Sequence, residues 1–432
     1  MTKYEQWGFK GNPFSVFALE GNEIGSQLFV GRGKELATFL RRLNEEKVIT
    51  VEGPKGTGKT SLVNVATFRA YTNFLANKSA PIIPCVKRFE LNNDATVDSF
   101  KMAVYLQIAN SLLKYRGVLD GELFKQQDID TWLNEPYLKQ VSVGFNVPAF
   151  GMNAGGGRAP TGGQFETVGF PNLVTSWLSS FHERKGKVVC VIDNLEILET
   201  SSNAKKVFNA LRDELLVMNG VKWVLCGSLG VVRGMASAGS LADFLALPIE
   251  IGEKDANIDP RELYESRITT FAVDKNCDEK IPISSRSFVD LYNTFSSNVR
   301  RTLSYSDTFC DQFLEFDEKA RSDRDKAFSS WLDEECSKKL IAAERTITNA
   351  GKNLLAKIAD AGGNVARSRY EDLGYPTTQA LIEPLRQLTQ AGLVDVVQDE
   401  DNNTKRFINM TESGWFVIRA INLEKEKPAP HL

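Results

Sequence analysis

One octapeptide constrains this chain more than any other stretch. Gly53-Pro54-Lys55-Gly56-Thr57-Gly58-Lys59-Thr60 fits GxxxxGK[ST] in full. The residues before it, VITVEG at 48–53, read as a short buried strand. The residues after it, SLVNVATFRAYTNFL at 61–75, read as a helix that opens at Ser61. A strand that runs straight into glycines and then a helix makes a phosphate-binding loop. The glycines let backbone N–H groups curl round phosphate oxygens without a clashing Cβ. The helix N-terminus adds a partial positive charge. Lys59 is then the residue that reaches the outer phosphates, and the Thr60 hydroxyl the one that ligates Mg²⁺.

A second run fits that reading. KVVCVIDNLEIL, at 187–198, is continuously apolar up to Asp193, as a central strand of a parallel sheet is. Such a strand aims the Asp193 carboxylate at the metal from the C-terminal edge of the sheet. Hydrolysis also needs a group that orients or deprotonates water. The position after Asp193 holds Asn194, and Glu196 lies two residues beyond it. Glu196 either bends back towards the water or is a solvated residue at a helix start. Asn194 in that place argues for slow turnover. Ser228 closes the next apolar run, VKWVLCGS at 221–228; it is either a residue sensing the phosphate or a turn serine. Strands also read at 81–91 and in LPIEIG near 252, with helices between. The alternation gives an α/β fold with a doubly wound parallel sheet.

The rest of the chain changes character. Residues 139–170 become glycine-rich and read as a β-hairpin or flap, or as a plain surface loop. From about 257 the pattern is helical. Its tail, FDEKARSDRDKAFSSWLDEECSKKL, is highly charged and reads as a solvated connector. Residues 340–422 read as helix, helix, helix and β-hairpin, then a last helix, which is a winged helix. Pro384 falls well inside the third of these helices and is expected to kink it. The division is therefore 1–255 for the nucleotide-binding base, 256–339 for a helical lid and connector, 340–425 for the winged helix and 426–432 for a tail.

Composition bounds the rest. At 432 residues the chain holds several domains. Only two histidines occur, His182 and His431, which argues against a His-based metal site or a Ser-His-Asp triad. The six cysteines show no CxxC spacing and read as reduced core residues. A net charge of −3 gives no global case for nucleic acid. No apolar run is long enough to span a bilayer, and the N-terminus lacks a signal-peptide core. A cytoplasmic protein without membrane partners is expected.

Together these pieces resemble the AAA+ ATPases, and within them the initiator-type branch related to origin-recognition and Cdc6 proteins. Asn12-Pro13-Phe14, then Phe29-Val30-Gly31-Arg32, is similar to that branch's segment beside the adenine pocket, which would make Val30 a nucleotide contact. Gly53–Thr60 matches Walker A, and 189–193 matches Walker B. Ser228 falls at the sensor-1 place. Asn298-Val299-Arg300-Arg301 resembles the lid motif and would make Arg300 sensor 2; the bland reading is a surface arginine. The resemblance implies ATP and Mg²⁺ as cofactors, and assembly with other copies through a trans arginine, for which Arg233 and Arg212 are the candidates. The departures are Asn194 for the usual glutamate and Ser297 for the lid glycine. STAND signalling ATPases share the architecture.

Two functions follow. One is an ATP-controlled switch whose winged helix binds duplex DNA, with Arg367, Arg369, Arg386, Lys405 and Arg406 on phosphates and Gln379 on a base. The other is a signalling or scaffold ATPase whose winged helix binds a protein partner. The acidic wing tip, Asp399-Glu400-Asp401, counts for the second, and the first is the expected function.

Overall fold

The computed structural model describes residues 2–53, 57–91, 96–119, 169–195, 206–210, 215–228, 244–252, 258–273, 276–315, 322–398 and 406–426. The glycine-rich stretch expected as a flap lies outside these residues, apart from the helix start at Gly169. The tail from 427 onward lies outside them as well. The chain forms two compact units, residues 18–252 and residues 1–17 with 253–432. The first 17 residues, which the sequence reading places at the head of the base, therefore pack with the helical part. Their one helix is α1 (Lys3–Gln6).

The unit 18–252 is the α/β part. In chain order it holds α2 (Glu23–Leu28), α3 (Gly33–Arg42), β1 (Ile49–Glu52), α4 (Lys59–Asn77), β2 (Ile82–Pro84), β3 (Phe89–Glu90) and α5 (Val97–Lys114). After these come α6 (Gly169–Glu183), β4 (Lys187–Asp193), β5 (Val221–Gly227) and β6 (Ile249–Glu250). The strands pair in the order β2-β4-β5-β1-β6, and β3 also pairs with β4. Every pairing among them is parallel.

Strand period explains the layers. Alternate residues of a strand face opposite sides of the sheet. On β4, Val188, Cys190 and Ile192 join one core, with Trp223 and Leu225 of β5 and the apolar sides of α5 and α6. Val189 and Val191 join the other, with Val224, Cys226 and the buried residues of α3 and α4. Both faces are covered, which is why the strands read as unbroken apolar runs.

The second unit is helical. It contains α7 (Pro260–Phe271), α8 (Cys277–Lys280), α9 (Ser285–Thr294), α10 (Val299–Phe313) and α11 (Arg324–Glu344). Its N-terminal arm is held by a buried arginine. The Arg267 guanidinium donates to the carbonyls of Pro13 (2.8 Å) and Ser15 (3.1 Å), and burial lowers its pKa to about 10. Phe14 is fully buried and stacks on Phe288, with ring centroids 6.1 Å apart. Asn12-Pro13-Phe14 thus belongs to this unit, and Phe29–Arg32 to the other.

The same unit continues into α12 (Asn349–Asp360), β7 (Asn364–Ala366), α13 (Thr378–Gln390), β8 (Val394–Gln398), β9 (Arg406–Met410) and α14 (Glu412–Glu426). The three strands form an antiparallel sheet ordered β7-β9-β8. That is a winged helix, with a 3₁₀ turn at Arg367–Arg369 as its second helix. The expectation for the charged stretch is corrected here. The charged stretch before residue 340 is not a solvated connector: Phe328, Trp331, Leu332, Cys336 and Leu340 are buried along α11. Helical spacing lets them share one face while the charges take the other. The boundary placed at 339 falls inside that helix. Helix α13 runs unbroken through Pro384, whose ring is buried.

Gly363 is where the winged helix is tightest. It has φ of +81°, and an added Cβ would lie 2.5 Å from the Trp415 ring. Strain in that backbone region costs roughly 1–3 kcal/mol, and the ring must move as well. Gly363→Ala is expected to lower the urea midpoint of the helical unit, followed by Trp fluorescence, while Gly33→Ala, where nothing lies within 4 Å of an added Cβ, leaves it nearly unchanged.

Candidate nucleotide site

The C-terminal edge of the parallel sheet gathers the predicted residues. β1 ends at Glu52, and Gly53 N donates to Gly227 O of β5 at 3.2 Å. The loop therefore starts beside the end of the neighbouring strand, and Ser228 follows one residue later, half-buried. A Cβ on Gly53 would lie 2.3 Å from the Ile251 carbonyl oxygen, so the loop can turn here only as glycine. Gly58 has φ of +94° and open space around it. It leads into α4, whose first residues are Lys59 and Thr60. Pro54, Lys55 and Gly56 lie outside the described residues.

Lys59 is nearly buried, and its ammonium donates to Gly53 O at 2.7 Å. The ammonium is thus held across the mouth of the loop. Thr60 Oγ1 donates to Asp193 Oδ2 at 3.0 Å. The same carboxylate oxygen receives Arg88 NH1 at 3.0 Å. The Asn194 backbone N–H donates to Asp193 Oδ1 at 3.0 Å, and the Asn194 side-chain amide donates to Glu90 Oε1 at 3.0 Å. Asn194 itself sits at φ of +57°, a region that asparagine enters more readily than most residues.

Other parts of the unit brace this edge. Arg32 is buried at φ of +53°. Its guanidinium donates to Thr57 O (3.1 Å) and Gly252 O (2.9 Å) and meets Glu35 at 3.5 Å. It ties the loop to the residues after β6. Ser61 Oγ accepts from Leu19 N at 3.1 Å, and Asn64 Nδ2 donates to Leu19 O at 2.8 Å, which fastens the incoming chain to α4. Val30 lies between α2 and α3, half-buried.

Upstream on β4, Cys190 neighbours Cys85, which follows β2. Burial raises the Cys85 thiol, but hydrogen bonds from Cys190, Lys87 N, Ser111 and Val86 N outweigh it and bring Cys85 below its ordinary value. Burial and the Cys85 neighbour push Cys190 up. All six cysteines are free.

The remaining candidates are not brought to this edge by what is described. Glu196, Arg212 and Arg233 lie outside the described residues. Arg300 lies in the first turn of α10, in the other compact unit, and is exposed. Its neighbour Arg301 is engaged with Glu412 (3.0 Å) and Met410 O (2.9 Å). Sequence reasoning missed Arg88 and Glu90, and gave Arg32 no role at the loop itself.

The donor set fits the expected ligands. A glycine-bounded loop at a helix N-terminus, closed by a lysine, is an anion cradle. A threonine hydroxyl meeting a carboxylate gives two hard oxygen donors, which suits Mg²⁺, an ion that keeps several of its waters. The carboxylate already attracts a cation, Arg88. Among the described residues no cluster of three or more His, Cys, Asp or Glu offers a metal site of another kind. No helix among them is long and apolar enough to cross a membrane.

No curated protein sequence matches the chain. Solved structures that match include the Aeropyrum pernix Orc1 protein in complex with DNA, at 12% identity and a TM-score of 0.43, over 97% of this chain and 98% of that one. Another is the Aeropyrum pernix ORC2 protein in ADPNP and ADP complexes, at 13% identity and a TM-score of 0.42, over 96% and 98%. A third is a Walker-type ATPase of Pyrococcus abyssi, at 13% identity and a TM-score of 0.40, over 94% and 99%. The model of the KAP family P-loop domain matches residues 33–228, a span that begins with α3 and ends on Ser228. With Lys59 and Asp193 at one sheet edge inside that span, residues 33–228 form a P-loop NTPase domain similar to the KAP family P-loop domain.

Proposed function

We propose that the chain binds ATP with Mg²⁺ and hydrolyses it, and that the nucleotide state governs assembly with further copies and engagement of duplex DNA by the winged helix. The observation that carries the first part is the 3.0 Å contact between Thr60 and Asp193. It joins the two oxygen donors that a nucleotide-bound Mg²⁺ requires, from elements 133 residues apart. Mg²⁺ bound there would neutralise charge on the outer phosphates. Lys59 supplies the protein's own cation to the same phosphates.

For the DNA part the support is the outer face of α13. Gln379, Ile382 and Arg386 are exposed on it, and the Thr377 hydroxyl caps its start by accepting from Ala380 N at 3.2 Å. A side-chain amide near a helix start can read adenine in the major groove. A second reading rests on a different observation. Arg369 pairs with Asp372 at 2.5 Å, and Arg386 with Glu383 at 2.7 Å. Neutralised arginines beside exposed Ile382 suit a protein partner.

Two outcomes are expected. Lys59→Ala and Gly53→Ala each weaken binding of a fluorescent ATP analogue at least tenfold, and Asp193→Asn abolishes Mg²⁺-dependent phosphate release. Wild-type affinity in Lys59→Ala would remove the nucleotide reading. Reversal of Arg367, Arg369 and Arg386 to Glu lowers affinity for a labelled duplex more than tenfold and flattens the salt slope, by about 0.9 for each phosphate that is no longer neutralised. Duplex binding unchanged by that triple reversal would leave the protein-partner reading.

A further inference from the structure

We propose that Glu90, on the strand beside the metal aspartate, is the carboxylate that accepts the proton of the attacking water. The assignment rests on the hydrolysis proposed above. β3 runs parallel to β4 with Phe89 opposite Ile192 and Glu90 opposite Asp193. Register partners on neighbouring strands project to the same face of a sheet. Two carboxylates from distant parts of the sequence therefore stand side by side where β3 and β4 end.

Asn194 ties them together. Its backbone N–H holds Asp193 Oδ1, and its side-chain amide holds Glu90 Oε1, each at 3.0 Å. From Thr60 to Asp193 to Asn194 to Glu90 the contacts are continuous. Asp193 is committed to cations and hydroxyl: its Oδ2 receives both Thr60 and Arg88. Glu90 is exposed at the rim, within reach of water.

The backbone suits a short polar side chain after Asp193. At φ of +57° the position is one that asparagine and aspartate enter more readily than glutamate. Here the acid comes from the neighbouring strand, and the Asn194 amide fixes its direction. In the step, the water oxygen bonds to the γ-phosphorus as Glu90 takes one water proton. The bond from that phosphorus to the bridging oxygen breaks, and its electron pair leaves with ADP. The proton then passes to the released phosphate or to solvent, and the carboxylate is restored.

The test uses the full chain and ATP. Glu90→Gln keeps an oxygen that can accept from Asn194, so it preserves the hydrogen bond and removes only the base. Single-turnover hydrolysis is expected to fall at least 100-fold, within the range for a missing general base, while affinity for a fluorescent ATP analogue stays within about threefold of wild type. A rate in Glu90→Gln within threefold of wild type overturns the assignment, and so does a fall confined to Glu196→Gln. Failure of nucleotide binding along with turnover in Glu90→Gln also overturns it, since that marks a structural role. Unsubstituted protein that binds ATP and never turns it over overturns the hydrolysis reading itself, and Glu90 with it.

Discussion

Thr60 donating to Asp193 at 3.0 Å fixes the first turn of α4 against the end of β4, and the nucleotide site is arranged around that join. The contact is possible because β5 alone separates β1 from β4, so a loop leaving β1 can reach across one strand. Parallel pairing makes all the strands end at the same edge. The loop's glycines, the buried Lys59 and the Asp193 carboxylate then converge without further instruction. Arg32 braces this edge, because its guanidinium holds Thr57 O and Gly252 O together.

Legibility in the sequence follows locality. The Walker A residues can be read because strand, loop and helix are contiguous, and each residue type answers a local need. β4 and β5 can be read because burial on both faces leaves an unbroken apolar run. Glu90 cannot be read as part of the site. Its strand is two residues long, and its place beside Asp193 depends on register with a strand about a hundred residues later. Arg32 ends a segment whose pattern is legible, yet its contact with Thr57 O belongs to tertiary structure.

Other departures have different physical causes. In α11 the density of charge hides an apolar stripe, and an even spread of acids and bases reads as a solvated face until the spacing of Phe328, Trp331, Leu332 and Cys336 is weighed. β7 is three residues long and carries no period. Helix α6 begins at the end of the glycine-rich stretch, whose composition masks Phe170, Val174, Trp177 and Phe181, buried at helical spacing beside it. Pro384 removes one donor from α13 but leaves the helix unbroken, since Leu381, Leu385 and Leu388 are buried on either side of it.

Arg301 gives the helical unit a mechanical property. It fastens α10 to Met410 O and Glu412, while Arg419 clamps Asp290 of α9 with two bonds of 2.7 and 2.9 Å. Phe295, Tyr305 and Phe416 fill the space between, with centroids 4.9–5.2 Å apart. Polar clamps round an aromatic plug join α9 and α10 to α14, the last helix of the wing. Moving α14 away from them would have to break charged pairs and unpack buried rings together, which is why the wing and the helices before it count as one compact unit.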